Sequence, residues 1–419
     1  MGPNQWLMRD RYEQVDCFSN EEYARRWSLT RTIMAQHGVD LLLVLDAARE
    51  GHDTWLTGRK NVELVIVPQE GDVVAVLQRE YPEDTLSFDP TVVDYRRYVK
   101  QKAPWVNRPG LTFIHYPNGD QLVQILEGYK PEKLGIVNQR TLSHELKTAL
   151  DTRLSDIEII DLKQALDSQK TIKSTEERVA IRAAARTLEQ LHDILPFVVR
   201  PGLTVRSATQ ALKDAALDLG ANGDLHIMLI VPGQMDSAAH RDELEREHRM
   251  ISRPEMTLRT GDWFFTIVEC GGYGGHQVAM GRIGCLGPAT PELRRAAALA
   301  GAHNRYAASQ MKPGNTLSAI VRAAEDRAAA DGTHLRRMCW MHGLTNQGYY
   351  EQFAVNDYGM DWPLSNRALL HCHPTHFSGF RGCPEDEVMA VNTYIVTPNG
   401  GESVIDLDRY PLEIMEIDG

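Results

Sequence analysis

The segment Arg200-Pro201-Gly202-Leu203-Thr204 stands ahead of an alanine-rich stretch. The same arrangement returns 112 positions later as Lys312-Pro313-Gly314-Asn315-Thr316, again ahead of an alanine-rich stretch. Proline presets φ for a turn and glycine accepts the positive φ that ends one. Threonine can then cap the helix that follows by accepting from its free amides. Two such turns in the same context of long helix, turn and helix predict a duplicated half-domain. A chain so built must fold its second half as two copies of one supersecondary unit.

The remainder of the chain has room for a separate unit, since 419 residues with 42% hydrophobic and 24% charged content suffice for two ordinary cores. Residues 20–36 place Tyr23, Trp27, Leu29 and Ile33 at helical spacing, and residues 39–45 form a continuous apolar run. Helix followed by buried strand is the reading of that pattern. Residues 62–67, 73–77 and 133–137 read as further strands, with helical stretches such as 121–126 between them, so a mixed α/β layer domain ends near Ala165. Beyond it, Ser174 followed three residues later by Glu177 is a capping-box signature, and a long alanine-rich helix through Leu191 follows from it.

Charge and apolar patterning exclude several partners. Lys and Arg total 45 against 57 Asp and Glu, a net charge of −12 without a basic run, which speaks against nucleic acid. No apolar run approaches the roughly twenty residues that span a bilayer, and Met1-Gly2-Pro3-Asn4-Gln5-Trp6 lacks the pattern of a signal peptide. A cytoplasmic protein with no membrane contact is therefore expected. Six Cys without a CxxC pair argue against a disulfide framework or a zinc ribbon.

Six signals occur in a fixed order. They are Ile172-Lys173-Ser174 before a helix, the Arg-Pro-Gly turn, and a single His in Ser237-Ala238-Ala239-His240. Gly261-Asp262 before paired strands, the Lys-Pro-Gly turn and His342-Gly343 follow. In this order they resemble the creatinase and Xaa-Pro aminopeptidase family, peptidase M24-like, and residues 20–165 resemble that family's N-terminal domain. The resemblance implies an α/β (α+β) protein. Its parts are a creatinase-like N-terminal domain, residues 1–168, and a pita-bread catalytic domain, residues 169–419, whose two halves are related by a pseudo-twofold around a central pocket.

Carried over residue by residue, the family's metal ligands mostly fail. Two hairpin aspartates eleven residues apart fall on Val268 and Ala279. The histidine ligand is kept as His342, the glutamate before proline falls on His373, and the last glutamate falls on Val391, or on Asn392 if the alignment shifts by one. A dinuclear divalent site needs oxygen ligands that bridge both ions, and valine and alanine offer none. The expectation is therefore a hydrolase or lyase without a metal cofactor, cleaving a C–N bond in a small polar, carboxylate-bearing substrate. Creatinase and ectoine hydrolase work in this way with a pocket histidine, whose position His240 occupies. Imidazole suits general acid and base work near neutral pH.

In this reading His342 and His373 orient groups or stabilise an oxyanion, and Arg59, His276, Arg282 and His371 are candidate substrate contacts, although the arginine at the place of Arg282 is more often structural in the family and His276 could equally face solvent. His371 and His373 flank Cys372, so on a strand they share a face, as two functional groups or as two satisfied histidines. Glu269 should face away from Val268. Two alternatives stay open. One is a zinc or iron site made by His240, His342 and His373, and the other is a catalytically silent binding module. The resemblance further implies a homodimer in which the N-terminal domain of one subunit lids the pocket of the other.

Overall fold

The computed structural model describes residues 18–45, 51–58, 62–77, 108–115, 119–221, 225–231, 254–271, 276–336, 341–342, 363–372, 375–377 and 387–418. The first helix, α1 (Asn20–Gln36), spans the predicted residues, capped by the Ser19 hydroxyl accepting from the Glu22 amide. Then come β1 (Leu41–Leu45), α2 (His52–Thr57), β2 (Val62–Pro68), β3 (Val73–Leu77), β4 (Leu111–His115), α3 (Gly119–Tyr129), β5 (Lys133–Val137), α4 (His144–Arg153) and β6 (Glu158–Asp161). The six strands form one sheet in the order β4-β3-β2-β1-β5-β6, with β1 parallel to β5 and antiparallel to β2.

Every residue of β1 is buried, as its unbroken apolar run requires of a strand covered on both faces. Tyr23, Trp27 and Trp55 of α1 and α2 pack against Val44, Val65 and Val67 on one face. Leu122, Leu126, Leu146 and Leu150 of α3 and α4 cover Leu43, Ile66 and Ile136 on the other. The expected α/β layer domain is thus a three-layer sandwich. Helix α5 (Lys163–Thr171) follows it, with Leu166 packed into the first of these two layers.

The repeat read from the two turns is borne out in detail. Helix α6 (Thr175–Val198) begins with the predicted Ser174–Glu177 capping box and runs seven residues past Leu191. After the first turn, α7 (Val205–Asp218) is capped by Thr204, whose side chain accepts from the Ser207 amide. Strands β7 (Leu225–Ile230), β8 (Trp263–Gly271) and β9 (Gln277–Leu286) complete that half. The second half repeats the order with α8 (Pro291–Ser309), the second turn, and α9 (Leu317–Ala330) capped by Thr316 accepting from the Ala319 amide. Gly202 and Gly314 have φ of 87° and 89°, and their amides donate to Leu258 O at 2.8 Å and Leu364 O at 2.9 Å.

Strands β10 (His334–Arg336), β11 (Met341–His342), β12 (Leu369–Cys372), β13 (Thr375–Phe377), β14 (Glu387–Met389), β15 (Asn392–Thr397), β16 (Gly400–Ser403) and β17 (Met415–Ile417) follow. One sheet is ordered β17-β9-β8-β7 and its counterpart β11-β12-β15-β16, beside a small sheet β10-β13-β14. Strand β15 is followed by β16 and β17, the latter parallel to β9. The halves meet where Gly281 and Val391 exchange backbone hydrogen bonds of 2.9 and 3.0 Å. A Cβ at Gly281 would lie 2.6 Å from Thr266 O and 2.7 Å from Val391 Cγ2, so only glycine allows this approach. Among the described residues no helix is long and apolar enough to cross a membrane.

Candidate functional site

The register of β8 against β9 decides which hairpin residues face the centre of the domain. Val268 lies opposite Met280, and Glu269 lies opposite Ala279. Opposed residues in an antiparallel pair share a face, and faces alternate along each strand. Val268 and Met280 therefore face outward, packed with Leu188, Leu191 and Leu195 of α6. Ala279 faces inward in one apolar cluster with Ile267 and Val391. In this register Val268, at the expected aspartate position, faces the helices, and Ile267 shares the inward face with Ala279. The conclusion drawn from chemistry is unchanged, since isoleucine coordinates no better than valine.

Glu269 does face away from Val268, which brings it onto the same side as Ala279. It is about 16% exposed and lies 3.2 Å from Nδ1 of His226, its neighbour across β7. Nothing in the sequence pattern had marked His226.

Val391 and Asn392, the two candidates for the last ligand position, send their side chains to opposite faces. Val391 joins the cluster of Ile267 and Ala279. Asn392 points to the opposite face, donating to Ser403 Oγ at 2.8 Å and accepting from Arg282 Nη2 at 3.3 Å. Arg282 itself is 1% exposed, and its guanidinium donates to Gly281 O, Val391 O and Tyr410 O at 2.7–2.9 Å. Burial lowers its pKa to about 10, which leaves it charged. With its two terminal nitrogens engaged on carbonyls, Arg282 clamps β9 to residue 391 and the chain near Tyr410. It is a structural residue, and its candidacy as a substrate contact falls.

A polar row crosses the inner wall beside the apolar cluster. Thr393 donates to Ala279 O at 2.8 Å and accepts from the Ala279 amide at 2.9 Å, so its hydroxyl sits on the backbone of the residue that replaces an aspartate. His371, with no exposure, lies opposite Thr393 in register, its Nδ1 2.7 Å from the hydroxyl. On its other side His371 is opposite His342 on β11. Thr393 was missed in the sequence, although its place two residues after Val391 on one strand was the available signal for a shared face.

His276 is neither a solvent-facing residue nor one open to a substrate. It is 1% exposed, edge-on to Phe18 at 6.1 Å between ring centroids, with Nε2 3.6 Å from Glu177 Oε1. Glu177 has no exposure and gathers Trp55 Nε1 at 3.0 Å, Arg26 Nη2 at 3.3 Å and the Ser174 amide at 2.8 Å. Burial works to raise the Glu177 carboxyl, but Arg26, Lys173 and the Ser174 amide outweigh it and hold the pKa at about 2. Burial, with Lys173 and Arg26 near, pushes His276 down to about 3 against the pull of Glu177. The pair is thus an ionised carboxylate and a neutral imidazole, tying α1, α2 and α6 to the start of β9.

Arg59, His240 and His373 lie outside the described residues, and His342 is described in its backbone alone. Among the described residues no three His, Cys, Asp or Glu side chains converge as a metal site.

The profile of metallopeptidase family M24 matches residues 179–397, more than half of the chain. The chain belongs to metallopeptidase family M24. Its fold is that of solved dipeptidases and aminopeptidases along nearly the whole length. The dipeptidase PepE of Mycobacterium ulcerans matches with 19% identity and a TM-score of 0.70, covering 96% of this chain and 100% of the other. The X-Pro aminopeptidase of Thermotoga maritima matches with 14% identity and a TM-score of 0.71, covering 93% and 99%. The aminopeptidase PepP of Pseudomonas aeruginosa gives 17% identity, a TM-score of 0.68, and coverage of 94% and 96%. These likenesses establish the pita-bread fold. No curated protein matches the chain significantly in sequence.

For an M24 chain the implied group is a pair of divalent ions. Of the expected positions, Ala279 and Val391 face inward with Ile267, all at most 5% exposed and packed in one core, and Val268 packs on the helices behind. This donor set does not fit two hard or borderline cations.

Proposed function

We propose that this M24 protein is a metal-independent hydrolase or lyase that cleaves a C–N bond in a small polar substrate bearing a carboxylate. The observation that carries the reading is the apolar packing of Ile267, Ala279 and Val391 beside an intact polar row through Thr393, His371 and the His342 position. The inner wall is apolar at these positions, while the His371 imidazole stands beside Thr393. His240 is the proposed acid and base: it takes a proton from water and returns it to the leaving nitrogen. His342 and His373 are proposed to orient the carbonyl or amidine carbon and stabilise the charge that develops on it. Arg59 is the proposed partner of a substrate carboxylate, a role to which a guanidinium brings two parallel donors. In a homodimer, that arginine would reach the pocket of the other subunit. The site of action is proposed to be cytoplasmic.

The test is an assay of the purified full chain, in chelator, on amides, amidines, ureas, cyclic amidines and dipeptides. Turnover that persists in chelator and vanishes in His240→Ala supports the reading. The register of His342 opposite His371 favours one rival, a zinc or iron site on imidazoles, with His240 and His373 completing it. About one transition ion per purified chain, lost in His373→Ala, would establish that rival and end the metal-independent reading. A protein that turns nothing over yet gains thermal stability from a metabolite is instead a binding module.

A further inference from the structure

Thr393 has a saturated hydroxyl, and its saturation fixes a proton elsewhere. A hydroxyl carries one proton and two lone pairs. The proton goes to Ala279 O at 2.8 Å, and one lone pair receives the Ala279 amide at 2.9 Å. The remaining contact, 2.7 Å to His371 Nδ1, must then be one that Thr393 accepts. His371 therefore bears its hydrogen on Nδ1. In a neutral imidazole so protonated, Nε2 has only a lone pair.

We infer that Thr393 locks His371 as the Nδ1–H tautomer, and that the two are positioning residues for the catalytic row whose next position is His342. His371 has no solvent exposure, so it acts through its neighbours instead of touching substrate. The hydroxyl of Thr393 approaches the backbone amide and carbonyl of Ala279 at once. The catalytic part of the inference rests on the function proposed above; the tautomer does not.

The ring nitrogens of His371 can be read directly in full-length protein labelled with nitrogen-15 in its histidines, by long-range proton–nitrogen correlation and with the signal assigned through His371→Gln. The expected result is a protonated Nδ1 and an unprotonated Nε2. Thr393→Val removes the acceptor and should populate the Nε2–H form, and Thr393→Ser should restore the wild-type pattern. On any substrate the panel yields, Thr393→Val should lower kcat by at least about tenfold with KM changed less than about twofold, and Thr393→Ser should recover it. An Nε2–H form in the wild type, or a Thr393→Val spectrum identical to wild type, overturns the inference. If Thr393→Val does not fold, the wild-type spectrum alone decides. If nothing in the panel is turned over, the proposed function fails and the tautomer assignment still stands or falls on the spectrum.

Discussion

Glu177 is a carboxylate without solvent exposure whose partners come from three separate segments: Arg26 from α1, Trp55 from α2 and His276 ahead of β9. A buried charge is tolerated when its partners are fixed, and removing one member strands the others. Glu177→Gln leaves Arg26 with Glu22, 2.8 Å away, as its remaining carboxylate, beside the Trp55 carbonyl, and should cost on the order of 3 kcal/mol in urea unfolding. A loss below about 1 kcal/mol would mean that the cluster is solvated in solution. The apolar inner wall makes the opposite prediction. Ala279→Asp restores one aspartate of the M24 pattern, but it buries a carboxylate against Ile267 and Val391. It should destabilise the protein by several kcal/mol without creating a metal site, because one oxygen ligand cannot assemble a dinuclear centre. Melting curves of Ala279→Asp with and without manganese, cobalt or zinc check this, and a metal-dependent rise in Tm would contradict it.

Among the elements, the two Pro-Gly turns offer an internal control. Thr204→Ala and Thr316→Ala each remove a helix cap and should each cost about 1 kcal/mol. A Cβ at Gly202 or Gly314 would meet nothing within 4 Å, so Gly202→Ala and Gly314→Ala should lose stability only through positive φ, roughly 1–2 kcal/mol apiece. Matched losses at the two turns are the signature of the repeat, and a cost at one turn alone would count against their equivalence. These turns, the capping box and the helix at 20–36 were legible because a cap or an amphipathic period is local chemistry. The face of Val268 was not, since inward or outward in a hairpin depends on pairing parity, which one residue in the turn inverts. His276 escaped for a related reason. Its partner Glu177 is about a hundred positions away, and no spacing rule reaches that far.

At the scale of the molecule, the Glu177 cluster binds the N-terminal layers to the pita-bread domain, so the pH dependence of stability reports on that junction. His276 has an ordinary pKa of 6.5 and is pushed down to about 3 by burial in the folded state. Between those values the unfolded chain holds a proton on this ring that the folded chain does not, so stability falls as pH drops below about 6.5. Glu177, ordinarily at 4.5 and held at about 2, adds a loss of the same sign that begins near pH 4.5 and continues toward 2. Asp167, also held below its ordinary range, burial being outweighed by its hydrogen bond to His52, acts in the same direction at still lower pH. Each extra proton taken up on unfolding steepens the decline by about 1.4 kcal/mol per pH unit. The chain contains 15 histidines, so the wild-type slope between pH 6.5 and 4.5 is a sum over all of them. His276→Gln isolates one: its urea-derived stability should decline less steeply than wild type through that window, by about one proton, and run parallel to wild type above pH 7.5. Parallel curves through pH 6.5 to 4.5 would show that His276 protonates freely in the folded protein, and the junction would then be open to water.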